Sequence, residues 1–212
     1  MKNLWPLLLI LLTGGVWAEN KSLSDAQTRL NRLTASYANT TYFEADFTQT
    51  KQVKFMQKPL VSGGQIKFAK NHGLLWIIEQ PFQSKTWVNQ QGVFKANQFE
   101  DKKQVKDPQM KEVAGLLSDL FSAQVDQVAQ KFTVSDDSAD DERWQVTLRP
   151  DTALMKKVLQ SIEVIGMDSD SEEAQGIQRI IVTDSNQNVT EIEFSRIKRQ
   201  HKPLTDQQIS EF

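Results

Sequence analysis

Apolar residues recur three and four apart at Leu23, Ala26, Leu30, Leu33 and Tyr37. That spacing lines one face of a helix, which Ser24 can cap and whose positive N-terminal dipole Asp25 suits. It predicts an amphipathic helix of roughly 14 residues covering one face of a sheet. The period then shortens to two. Phe43, Ala45 and Phe47 alternate with Glu44, Asp46 and Thr48, and Ile66 and Phe68 alternate with Lys67. Both stretches predict strands, separated by the Lys58-Pro59 break. Asn71-His72-Gly73 reads as a turn into Leu74–Ile78, a run apolar at every position and therefore a strand buried on both faces. Pro81 ends it. Thr86-Trp87-Val88 and Val93-Phe94-Lys95 flank Asn89–Gly92 and predict a hairpin.

Residues 100–107 are charged and predict a loop or an edge. Pro108 opens a second helical pattern carried by Met110, Val113, Ala114, Leu117, Leu120 and Phe121, with Leu116 widening the stripe. Val125 and Val128 suggest a shorter helix behind it. Strands return at Phe132–Val134 and Trp144–Leu148, on either side of the acidic run Asp136–Glu142. Ala153–Met155 reads as a short helical turn or a bulge. Ile162–Ile165 pairs with Ile177–Val182 across a second acidic run, Asp168–Glu173, and Val189, Ile192 and Phe194 form a last strand. Leu204–Phe212 reads as a final helical turn. Consecutive short strands with tight turns imply an antiparallel sheet. One face of it can pack on the first helix. The central helices are the only cover for the other, which leaves either a packed two-layer core or an apolar cavity.

Composition narrows the chemistry. The chain has 212 residues, 39% of them apolar and 25% charged, with a formal net charge of -2 and no cysteine. The charge balance gives no case for nucleic-acid binding. Without cysteine there are no disulfides, thiolate metal sites or thiol catalysis. Only two histidines are present, His72 in a turn and His201 in a basic tail. Neither has a partner for metal or acid–base work, and no phosphate loop or nucleophile elbow occurs. The acidic runs lack EF-hand spacing and read as solvated hairpin loops. Arg196, Lys198, Arg199 and Lys202 read as a solvated strand edge. We therefore expect no enzyme, catalytic residue, cofactor or metal site. Residues 1–18 have the form of a cleavable signal peptide. Lys2 supplies the charged region, Leu4–Leu12 the apolar core, and Val16 and Ala18 the cleavage positions. The apolar run is about half the ~20 residues of a membrane span. The expected mature chain is a single domain, residues 19–212, exported to a bacterial periplasm.

Phe47-Thr48-Gln49, Lys51, Ser62-Gly63-Gly64, Phe68, Trp76 and Pro81, in that order, resemble the N-terminal signature of the outer-membrane lipoprotein carrier (LolA-like) family. The resemblance implies an unclosed antiparallel half-barrel with an N-terminal helix and a helical lid. It also implies a carrier that shields acyl chains of a lipoprotein or lipid and passes them from an inner-membrane donor to an outer-membrane acceptor. One departure stands out: where the family has an arginine before the tryptophan strand, this chain has Lys70, which lacks arginine's planar fork. Leu74 matches the family's apolar residue two before the tryptophan. These features suggest a divergent paralogue, expected to be monomeric. On this reading Phe47, Ile66, Phe68, Trp76, Trp87 and Phe94 form the cavity wall, Val113, Leu117, Leu120 and Phe121 the lid, and Lys70 a latch. The alternative is a protein-interaction or sensor module on the same scaffold.

Overall fold

The computed structural model describes residues 31, 34–35, 37–106, 108–122, 124–138, 143–171 and 175–212. The expected signal peptide and most of the expected first helix lie outside the described residues. Of that helix, Asn31, Thr34 and Ala35 are helical, and Tyr37 just beyond them is buried.

Period-two stretches become strands with longer bounds than the apolar positions alone mark. They are β1 (Tyr42–Gln52), β2 (Leu60–Ala69), β3 (Gly73–Gln80), β4 (Ser84–Asn89), β5 (Gly92–Asn97), β6 (Glu100–Gln104), β7 (Phe132–Asp136), β8 (Arg143–Pro150), β9 (Leu159–Met167), β10 (Gly176–Asp184) and β11 (Val189–Gln200). The charged residues after Phe99 are thus an edge strand rather than a loop. The helices are α1 (Pro108–Phe121), α2 (Val125–Lys131), α3 (Ala153–Lys156) and α4 (Asp206–Ile209). Thr152 caps α3 by accepting a bond from the Met155 N–H, and Thr205 and Gln208 form a capping box on α4.

All strands join one antiparallel sheet in the order β6-β5-β4-β3-β2-β1-β11-β10-β9-β8-β7. Two meanders, β1 to β6 and β7 to β11, are sewn together where β1 pairs with β11. Each meander is local hairpin pairing, so only that seam is distant in sequence. β6 and β7 stay unpaired on their outer sides, and the curved sheet remains an open half-barrel. α1 and α2 carry the chain from the β6 edge to the β7 edge, and α1 packs on β4 and β5.

The register sorts side chains to two faces, because successive residues of a strand point opposite ways. Ala45, Ile66, Trp76 and Thr86 share one cross-strand row, and Gln49, Ile192, Ile180 and Val164 share another. Both belong to the concave face under α1. Glu44, Lys67, Leu75, Trp87 and Phe94 form a row on the convex face. The last residues of the chain cover that row: Glu211 takes a salt bridge from Lys67 Nζ at 2.6 Å, and its carbonyl accepts from Trp87 Nε1 at 3.1 Å. This explains why Leu74 and Leu75, neighbours with opposite orientations, are both buried.

A bulge in β11 changes the parity of that strand. Ser195 pairs with Asp46 and Lys198 with Glu44, so three steps on β11 match two on β1. Arg196 is the extra residue, with φ at 51°, and its guanidinium pairs with Asp46. Phe194 precedes the bulge and Ile197 and Arg199 follow it, yet all three face the concave side. The basic stretch is therefore not uniformly a solvated edge: Arg199 turns inward, opposite Phe43.

Candidate functional site

The concave face encloses a cavity of about 430 Å³ between the sheet and α1. That volume is within the range of small-molecule pockets. Leu74, Trp76, Ile78 and Val88 line one side, and Val182, Ile192, Val158 and Leu159 the other. Ala114 and Leu117 of α1 cover it, and Met155 of α3 closes a corner. Polar groups are few: Gln49, Thr86 and Thr190, the amines of Lys51 and Lys95, and the Asp184 carboxylate.

The two ends of the cavity differ. At the Phe43 end of β1 an aromatic cluster anchors α1. The Phe121 ring stacks on Phe43 with centroids 4.9 Å apart and meets Tyr37 and Phe194 edge-on at 5.2 and 6.2 Å. The Arg199 guanidinium lies over the Tyr37 ring at 5.1 Å, and an Nη donates to the Gln175 carbonyl. The Ile177 N–H donates to the Tyr37 hydroxyl at 3.2 Å. Burial pushes the Tyr37 phenol up, against the lowering pull of Arg199. The phenol stays neutral and holds the first segment against β10. At the other end, the late residues of β1 and β3 and the β10–β11 turn form the mouth. There Asp184 accepts from the Asn186 and Asn188 N–H groups and from Asn188 Nδ2, at 2.8 to 2.9 Å. Desolvation pushes its carboxyl up, but these bonds and the nearby Lys51 charge outweigh it and hold the group below its usual range.

The expected wall residues divide three ways. Trp76 lines the cavity. Phe47 and Ile66 lie beside it on the concave face, with the Phe47 and Trp76 rings 4.1 Å apart. Phe68 faces the same side but lines a separate cleft of about 250 Å³ with Lys70, Ser118 and Ser122. Trp87 and Phe94 do not join the wall. They pair with each other on the convex face, and the Lys102 ammonium sits over both rings at 4.4 and 5.4 Å. Their hairpin was legible, but its facing was not, because Thr86 and Lys95, the polar neighbours, are the ones that turn inward. Of the lid residues, Leu117 lines the cavity, while Leu120 and Phe121 are fully buried beyond its end. The Val113 side chain lies outside the described residues.

The hydrogen bond of the Lys70 amine runs to the Ala38 carbonyl at 3.5 Å, not to a described residue of α1. It ties the β2–β3 turn to the segment before β1. Cavity residues missed in the sequence include Lys51 and Lys95. Extending the alternation from Phe47 through Gln49 would have placed Lys51 inward.

Described carboxylates of the two acidic runs bond to neighbouring donors. Asp136 accepts from the Ser138 N–H and Asp137 from the Thr147 hydroxyl, and Asp168 accepts from Trp144 Nε1. No cluster of three or more His, Cys, Asp or Glu placed to hold a metal occurs among the described residues. None of the described helices is long and apolar enough to cross a membrane.

Comparison with known proteins agrees with this architecture. Among solved structures, the chain is similar to a LolA superfamily protein from Nitrosomonas europaea, at 12% identity and a TM-score of 0.50, covering 86% of this chain and 96% of that one. It also matches a DUF1329 family protein from Desulfovibrio piger at 10% identity and TM-score 0.48, over 89% and 96% of the two chains. The lipoprotein LppX of Mycobacterium tuberculosis matches at 10% identity and TM-score 0.46, over 89% and 99%. At 12% identity the likeness to the Nitrosomonas europaea protein is one of fold. No curated protein matches by sequence. The family model described as outer membrane lipoprotein carrier protein LolA matches residues 38–208, most of the chain. The chain thus belongs to the LolA family, as a divergent member.

Proposed function

We propose that the protein is a periplasmic carrier. It shields acyl chains of a lipoprotein or lipid in the concave cavity and passes them to an acceptor at the outer membrane. The carrying observation is the 430 Å³ cavity, walled by aliphatic side chains and Trp76, roofed by Leu117 and open at the Lys51 end. Each acyl CH₂ taken from water contributes about 0.8 kcal/mol, so a single chain provides ample affinity. No covalent step is needed. Release requires an acceptor that buries the chain better, and the polar groups at the mouth keep the cavity from being the deepest apolar sink. On this reading residues 1–18 are removed on export and residues 19–212 act as one domain, a monomer meeting an inner-membrane donor and an outer-membrane acceptor in turn.

Titrating residues 19–212 with a fluorescent fatty acid tests the reading. A saturable signal competed by unlabelled lipid is expected. A signal that never saturates would overturn it.

One observation favours the alternative of a protein-interaction module. Phe55, Phe82 and Phe99 are 91%, 70% and 85% exposed. They sit in the β1–β2, β3–β4 and β5–β6 turns, which share one end of the meander. Native mass spectrometry of freshly purified protein separates the two readings. Co-purifying lipid supports the carrier, and a lipid-free protein that holds a stoichiometric protein partner supports the module.

A further inference from the structure

We propose that the cavity selects an amphiphile with an anionic head group, drawn by the two lysines of its lining, Lys51 and Lys95. The inference rests on the carrier reading and deepens it. Lys95 lies on β5 between Thr86 of β4 and Lys103 of β6, with both neighbours in direct register. It is half-buried and lines the cavity, yet among the described residues its amine has no hydrogen bond or ion pair. The residue across the ladder is a second lysine, so no cross-strand carboxylate compensates it. Lys103 itself bridges to Glu100 at 3.7 Å in an exposed pair.

Lys51 is the other cation of the cavity. The one carboxylate there is Asp184, whose oxygens already accept three bonds that build the β10–β11 turn. The nearby Lys51 charge is the one that acts on it. Glu79 and Lys85, the nearest other charges on β3 and β4, alternate to the convex side. The cavity lining therefore carries two lysines and one committed carboxylate among mainly apolar side chains.

Lysines at a pocket rim can lie there only to cover apolar wall with their stems while the charge reaches water. The proposal differs from that reading in one respect: a head group bearing negative charge should bind better than a neutral one of equal chain length. A carboxylate and a phosphate ester share the needed chemistry, so a free fatty acid and a phospholipid are both candidate sources.

Competition against a bound fluorescent fatty acid, at pH 8 and low salt, tests this with palmitate, methyl palmitate and lysophosphatidylglycerol. In the parent protein palmitate should compete about tenfold better than its ester, a typical increment for a charge-assisted contact. Lys51→Met with Lys95→Met should bring palmitate to the level of the ester, the ratio of the two and not either affinity being the readout, and Lys95→Arg should keep the preference. Lysophosphatidylglycerol outcompeting palmitate would point to a phospholipid source, and the reverse order to a free acid. Equal competition by acid and ester in the parent would overturn the head-group proposal and leave the carrier standing. No competition by any of the three would overturn both.

Discussion

At Gly166 the structure leaves no room for a side chain. A Cβ there would lie 2.0 Å from the Trp144 ring and 2.5 Å from the Gly176 carbonyl. Gly166→Ala must displace Trp144, which is anchored through Nε1 to Asp168. We expect it to destabilise the fold by about 1–3 kcal/mol, read as an earlier urea midpoint, with a changed tryptophan emission. Asp184 makes a different prediction. Its carboxyl is held below the usual range when folded, so its stabilisation is present above the unfolded value of about 3.9 and is lost as pH falls through the folded one. Asp184→Ala should cost about 1–2 kcal/mol at pH 7. The gap to the parent should narrow below about pH 4, and a constant gap across a pH series of melts would show that charge plays no part.

Helix α1 meets two different surroundings along its length, and mutation should separate them. Its last residue, Phe121, is fully buried in the aromatic cluster, so Phe121→Ala should cost about 3–5 kcal/mol of stability. Leu117, one turn earlier, faces the cavity and is 7% exposed. On the carrier reading, a carboxylate there shares the partly polar cavity of the empty protein with Gln49, Thr86 and the two lysines but would meet acyl chains in a loaded one. Leu117→Glu should thus abolish fatty-acid binding while shifting the melt less than Phe121→Ala does. If its melt falls further instead, Leu117 is packed core and not lid. Most of these elements were legible in the sequence. The helix stripe from Met110 to Phe121 and the strand run Leu74–Ile78 carry their periods openly. What was illegible was facing. Trp87 and Phe94 look like core by hydrophobicity, but a two-residue period does not say which side is inward, and a tail more than 100 residues later covers them. Arg199 was hidden for a related reason. The bulge at Arg196 flips the alternation, and only the pairing with β1 reveals it.

At the scale of the whole molecule, the sheet stops at β6 and β7 instead of closing, and the openness leaves the cavity under α1. The same openness leaves two rows of unpaired backbone groups. At one margin, β6 consists of Glu100, Asp101, Lys102, Lys103 and Gln104, every one exposed. A bare strand margin invites another chain to add itself by backbone pairing, and charged side chains are the usual deterrent. Lys102 also caps the Trp87 and Phe94 rings, so this short strand shields apolar surface as well. Replacing Asp101, Lys102 and Lys103 together by threonine should leave the monomer's secondary structure intact. It should also make the protein self-associate with rising concentration, seen as growing particles in light scattering. A triple variant that stays monomeric at millimolar concentration would show that the margin is protected by other means. A half-barrel that stays open is thereby committed to guarding its margins against its own copies, a solubility constraint that a closed barrel of the same strands would escape.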